Sequence, residues 1–421
     1  MGRVLVAIVS MLLCIPLAFG QEPERLSLEE ALQIAWQRNP RLLQARQEVE
    51  AARGRWIQDR TLPNPEVEIE TTELSQGVHG GSTVGDDSIA LSQEVDVLGK
   101  FWLRGKAGKA DYQATQHLLE RVWSEVAFEV AQAYNHLLLS TQRIGVAREV
   151  LTLTRGLFDQ VQLRYNAGEV LRNELLRAQI EAAKAENAVL EADKQITLDT
   201  AALNILLGRE VQQSLALIDQ FTYQPHDIDP DQLLTQALQQ RPDLKAREAA
   251  IRAQRNRWRL ALSNILDNPT VSVIGTRETG KAGKEQVFGL AIRWPIPFWN
   301  QNRGAIREAK AELSKREVEY EAFKREVGLE VISAIAEAKL AQRQATVWKT
   351  GVEQANDLAR LASQQYREGD INFITYLEHL ATVRETKVAY VEALATYRTQ
   401  LARLNQAVAS TLMPERKEDV R

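Results

Sequence analysis

Hydrophobic and polar positions along this chain follow two different periods. From 103 to 166, Val122, Val126, Phe128, Val130, Ala133, Tyr134, Leu137 and Leu138 recur at three- and four-residue steps. From 303 to 368, Val327, Leu329, Val331, Ile332, Ile335 and Ala336 do the same. Neither tract contains a proline, and the spacing predicts one uninterrupted helix for each. At ~1.5 Å per residue, about 64 residues make a rod approaching ~100 Å, a length that demands coiled-coil-like packing. Each rod ends at a glycine, Gly168 or Gly369, after which a shorter helix returns over 171–208 or 372–409. A further short helix follows a proline in each half, Arg41 to Arg60 and Asp243 to Ser263. The short and returning helices together approach one rod length, so the economical arrangement stacks them end to end beside the rod.

The second period is two. Over 65–73, Val67 and Ile69 alternate with Glu66, Glu68 and Glu70. Over 88–97, Ile89, Leu91, Val95 and Val97 oppose Ser92, Glu94 and Asp96. The second half repeats this over 269–276, with Val271 and Val273, and over 287–296, with Phe288, Leu290, Ile292 and Trp294. Such alternation predicts half-buried strands and also fits membrane strands with lipid outside and a polar lumen inside. Gly-rich polar loops, Ser75 to Asp86 and Thr276 to Gln286, join each pair. Four strands cannot close a barrel, since the smallest membrane barrels need about eight, and open edges cannot face lipid. The strands therefore form an ordinary soluble sheet or close across two or three subunits.

The chain also says nearly the same thing twice. The segments Ser27 to Trp56 and Asp229 to Trp258 align without a gap, matching Leu32, Ala35, Gln37, Pro40, Leu42, Ala51, Arg55 and Trp56 to Leu234, Ala237, Gln239, Pro242, Leu244, Ala253, Arg257 and Trp258. Asn64-Pro65 recurs as Asn268-Pro269, and Tyr165-x-x-Gly168 as Tyr366-x-x-Gly369. A self-repeat of this length makes each half one structural unit: 21–210 and 229–410, with a linker over 211–228 and a charged tail over 411–421.

Residues 1–20 read as a cleaved signal peptide, with Arg3 at the positive start, an apolar run from Val4 to Leu17, and Ala18-Phe19-Gly20 as the cleavage site. The only cysteine, Cys14, lies inside that run, which leaves no disulfide or thiol chemistry to a mature chain. A formal charge of −4 gives no nucleic-acid footprint. The five histidines, His79, His117, His136, His226 and His379, are scattered and fit no metal-ligand spacing. No catalytic triad or phosphate loop is present, so the chain reads as no enzyme and needs no cofactor.

Two groups of polar residues stand out. Arg164, Tyr165, Asn166, Gly168, Glu169, Tyr366, Arg367, Glu368, Gly369 and Asp370 lie where the rods reverse; glycine there serves the left-handed turn that ends helices. Glu66, Glu68, Glu70, Glu94 and Asp96 share one face of adjacent strands and would make a lumen negative.

These segments, taken in this order and twice over, resemble the TolC-type outer-membrane efflux factor family from about Leu26 to about Ser410. The stretch PIPFWNQNRGAI, Pro295 to Ile306, is similar to that of the CzcC-like branch serving heavy-metal pumps. The resemblance implies a mainly α chain with a small β part. Duplicated helical hairpins would form an α-helical barrel, and four strands per chain would complete a 12-stranded β-barrel in a homotrimer. It implies an exit duct in the outer membrane lipid whose tunnel enters the periplasm, working with a periplasmic adaptor and an inner-membrane RND-type proton-driven pump. The tip residues would meet the adaptor, Glu368 and Asp370 would latch the mouth, and the acidic strand face would line the lumen. A multidrug or type I secretion channel keeps the same fold, whereas a secreted coiled-coil scaffold is the reading without transport.

Overall fold

The computed structural model describes residues 24–74, 84–280 and 283–409. The signal segment 1–20, the tail 411–421 and most of the first strand-joining loop lie outside these residues.

Strand β1 (Glu24–Leu26) leads to α1 (Leu28–Arg38) and α2 (Pro40–Asp59), strands β2 (Glu66–Leu74) and β3 (Val84–Glu94), the long helix α3 (Lys100–Asn166) and the returning helix α4 (Arg172–Leu206). After β4 (Leu215–Leu217) the same order follows: α5 (Pro230–Gln240), α6 (Pro242–Ser263), β5 (Thr270–Gly280), β6 (Gly283–Arg293), α7 (Arg303–Glu368) and α8 (Phe373–Val408). Among the described residues, no helix is long and apolar enough to cross a membrane.

The helices lie as four rods abreast. Helices α2 and α4 both pack on α3, α6 and α8 lie between α3 and α7, and α7 closes the far side. The end-to-end stacking has a specific cause. The residue before each proline reaches the terminal carbonyls of the returning helix: Asn39 Nδ2 donates to the Leu206 carbonyl at 2.8 Å, and Arg241 Nη1 to the Ala407 carbonyl at 3.1 Å. Asn39 also caps α2 by accepting from the Arg41 and Leu42 amides.

Two cores sit at these junctions. One gathers Leu42, Trp123, Val126, Val130, Tyr134, Leu137 and Leu203, the other Leu244, Val327, Val331, Ile335, Ala338 and Leu404. Of the apolar positions read from α7, Val327, Val331 and Ile335 are buried, whereas Leu329 and Ile332 remain exposed at 70% and 57%. The helix therefore carries two apolar stripes rather than one. Residues 211–228 are more than a linker. β4 pairs in parallel with β1, Tyr134 Oη donates to Asp219 Oδ2 at 2.7 Å, and Phe221 and Tyr223 pack against the α7–α8 pair.

The second sheet has the order β2-β3-β5-β6, antiparallel throughout, with β2 and β6 at open edges. Its bounds differ from those the alternation predicts. The ladder includes Arg277, Glu278, Glu285 and Gln286, because backbone pairing continues where apolar side chains stop. At the other end β3 finishes at Glu94, short of Val97, and β6 at Arg293, short of Ile296; after β6, Pro295 and Pro297 have no N–H to donate.

Candidate functional site

The register sorts the sheet's two faces. Glu66, Glu68 and Glu70 stand opposite Ser92, Ala90 and Ser88, which in turn meet Ser272, Ile274 and Thr276. Glu94 continues this face and accepts from Asn268 Nδ2 at 2.8 Å, and Ser92 and Ser272 share a hydroxyl contact at 2.8 Å. The opposite face carries Val67, Ile69, Ile89, Leu91, Val273, Phe288, Leu290 and Ile292, each at least half exposed. One side is thus acidic and small, and the other is a continuous apolar surface of the kind that meets lipid.

Asp96 does not belong to the acidic face. It lies beyond the end of β3, and its carboxylate accepts from the Lys100 and Phe101 amides at 2.7 and 2.9 Å. Its position just before the first turn of α3 explains this: the unpaired amides of a helix start attract a carboxylate. Four of the five acidic residues therefore share one surface.

At the other end of the rods, both reversals come together on one apolar cluster: Leu157, Val161, Ala178, Ala362, Tyr366, Phe373 and Tyr376. Gly168 and Gly369 take φ of 78° and 85°, the left-handed conformation that glycine supplies at helix ends. The Glu169 and Asp370 amides donate to the Arg164 and Gln365 carbonyls at 2.9 Å each, so both turns close with the same six-to-one bond.

The tip residues divide by exposure. Arg164, Tyr165, Asn166, Glu169, Arg367, Glu368 and Asp370 are exposed. Arg164 Nε donates to Glu169 Oε2 at 3.3 Å across the first turn, Asn166 Oδ1 accepts from Gln162 at 3.1 Å, Arg367 Nε donates to the Ser363 carbonyl, and Glu368 accepts from Gln364 at 2.9 Å. Tyr366 departs from the expected contact set. It is 6% exposed and stacks on Tyr376 with ring centroids 4.8 Å apart. Burial pushes its phenol up, opposed by the Arg164 charge beside it. Tyr366 is therefore a packing residue that couples the two hairpins, and not a surface contact. Leu163 and Leu171, both 70% exposed, flank the first turn outside the polar set that the sequence singles out. The available signal was an apolar residue on each side of a polar turn, with no side-chain cap at Leu171.

Curated relatives of this arrangement include the cobalt-zinc-cadmium resistance protein CzcC of Cupriavidus metallidurans, 23% identical over 375 residues, spanning 88% of this chain and 86% of the relative. Another is the nickel-cobalt-cadmium resistance protein NccC of Alcaligenes xylosoxydans xylosoxydans, 22% identical over 331 residues, spanning 75% and 70%. Among solved structures, a membrane protein from Pseudomonas aeruginosa superposes with a TM-score of 0.75 at 21% identity over 90% of each chain. The CmeC outer membrane channel of Campylobacter jejuni gives 0.74 at 19% identity over 90% of this chain and 85% of that one. The outer membrane efflux protein family matches residues 31–209 and again 233–410, nearly the whole length of both helical halves, and the chain belongs to that family.

Proposed function

We propose that this protein is the exit duct of a tripartite efflux system that exports divalent heavy-metal ions. One observation carries the duct: a four-stranded sheet with an exposed apolar patch across one face and two open edges, standing on four rods. Unpaired backbone groups in hydrocarbon cost several kcal/mol each, so β6 of one copy pairs with β2 of the next. The contact is head-to-tail and closes into a ring; three copies of four strands make a 12-stranded barrel. The repeated order of elements in the two halves makes each ring a pseudo-sixfold assembly of duplicated units. The rods then line a tunnel into the periplasm, and the tips are its mouth. There Arg164, Tyr165, Asn166, Glu169 and Arg367, with Leu163 and Leu171 beside them, meet a periplasmic adaptor bound to an inner-membrane RND-type pump.

The metal cargo rests on the names of the curated relatives and on the Pro295 to Ile306 stretch. The test is survival of the source strain with and without the chain on graded zinc, cobalt, cadmium and copper, beside a panel of drugs and bile salts. Sensitivity to metals alone is the expected result. Sensitivity to drugs alone keeps the duct and refutes the metal cargo.

A further inference from the structure

The apolar face of the sheet is too short for a membrane if the strands alone carry it. Its upper limit is a polar cross-strand row, Thr71, Asp87, Arg277 and Gln286. Below that row, β6 offers Phe288, Leu290 and Ile292 before it ends at Arg293. From Phe288 to Ile292, at ~3.4 Å per residue and a tilt of ~45°, the apolar band is only ~10 Å tall, against ~25 Å in membrane barrels.

The missing height lies in the segments that join strand to rod. The apolar alternation of β6 continues past its end through Trp294, Ile296 and Phe298 to Trp299, which are 46%, 68%, 74% and 96% exposed. Counting from Phe288 to Ile296 at the same rise and tilt gives ~19 Å, and Phe298 and Trp299 follow on the turn that the Phe298–Ile296 bond closes. The first half extends likewise through Val95, Val97 and Leu98 to Trp102, exposed at 41%, 51%, 44% and 62%. Non-ladder backbone in lipid normally leaves donors unsatisfied. Here Pro295 and Pro297 have no donor, the Phe298 amide donates to the Ile296 carbonyl at 3.0 Å and Val95 donates to the Pro269 carbonyl at 2.9 Å. Trp294 Nε1 donates to the Asp267 carbonyl at 2.9 Å. Immediately beyond come exposed cations, Arg104 and Lys106 at the start of α3, and Arg303 and Arg307 at the start of α7. Lys106 Nζ sits 3.3 Å from the Trp102 ring centroid. Aromatic groups followed by cations are the signature of a phosphate-headgroup boundary.

We infer that the apolar side chains of the two strand-to-rod junctions, Val95, Val97 and Leu98 in one and Trp294, Ile296 and Phe298 in the other, face the inner leaflet of the membrane, with Trp102 and Trp299 at its boundary and Arg104, Lys106, Arg303 and Arg307 on anionic phospholipid headgroups, while Asp96 is held on the start of α3 and Lys100 is buried. This rests on the barrel reading. The test uses the full-length assembly in vesicles of phosphatidylethanolamine and phosphatidylglycerol. Nitroxide labels replace Leu290, Trp299 or Arg367 one at a time, as Leu290→Cys, Trp299→Cys and Arg367→Cys in a Cys14→Ser background, and collision with oxygen is compared with collision with a water-soluble nickel chelate. The label at 299 is expected to favour oxygen, as at 290, while the label at 367 favours nickel. A label at 299 that behaves like 367 while 290 stays in lipid overturns the inference and leaves the barrel intact. Nickel access at 290 as well overturns both. As a check on unlabelled protein, brominated acyl chains quench tryptophan emission, and Trp299→Leu lowers the quenched fraction; an unchanged fraction counts against the placement.

Discussion

At the scale of single residues, Arg241 is the most demanding side chain in the chain. Only 2% of it is exposed, yet it spans three elements. It holds Asp243 through Nε at 3.1 Å and Nη2 at 2.6 Å, Glu330 through Nη1 at 2.7 Å, and the Ala407 carbonyl. Burial raises the Asp243 carboxyl, but the bonds and charges of Arg241 and Arg121 outweigh it and hold the group below its ordinary range. Asp243→Asn leaves Arg241 with Glu330 and the Ala407 carbonyl but takes away its most buried carboxylate, so it is expected to cost about 1.5–3 kcal/mol. The sign of the pH dependence follows from the depressed carboxyl. Its contribution is complete above the unfolded value of about 4 and is lost as pH falls through the lower folded value. Thermal melts of the helical signal between pH 7 and pH 3 check this: the wild type weakens below about pH 4, and Asp243→Asn lacks that component. An equal acid response in both proteins refutes the assignment. The alignment of the two halves pairs Arg241 with Asn39, and both precede a proline. Nothing in the two residue types announces that both bond the end of a returning helix, because only the folded path brings that carbonyl within reach.

At the scale of elements, the alternation and the glycine-ended rods were legible because period and breaker residues are local signals. The strand ends were not: above the lipid the ladder runs on through polar residues, and below it the ladder stops while apolar residues continue. The tips show the same limit. Tyr165 and Tyr366 occupy one motif, but Tyr366 finds Phe373 and Tyr376 beside it, whereas the corresponding first-half positions are Arg172 and Leu175. Planar-bilayer recording tests the two elements proposed to govern conduction. Glu368→Ala with Asp370→Ala is expected to raise single-channel conductance, since the ion pairs proposed for them across the mouth would be worth only about 0–1 kcal/mol each and their loss would free it. Glu66→Gln, Glu68→Gln and Glu70→Gln together are expected to lower the ratio of cation to anion permeability. Unchanged conductance removes the latch, and a wild-type ratio near unity removes the selectivity of the acidic face.

At the scale of the whole molecule, the single chain leaves apolar rows on the two rods that bound the array. Helix α4 exposes Leu176, Ile180, Leu190, Leu198 and Ile205, and α7 exposes Val318, Leu329, Ile332, Leu340 and Val347. These rods lie on the same two sides as the open strand edges β2 and β6, so one head-to-tail contact satisfies backbone and side chains together. Burying a leucine contributes about 1.5–3 kcal/mol, and in the proposed trimer the seam recurs three times and multiplies the effect of each residue. Leu198→Asp with Leu340→Asp is therefore expected to convert trimers to monomers in mild detergent, read as mass by light scattering. Both side chains are exposed within one protomer, so helical circular dichroism stays at the wild-type level. Monomers with intact helices place the seam on α4 and α7; trimers that persist with both charges present mean that these rows face the tunnel or its outside, and that the ring closes through other surfaces.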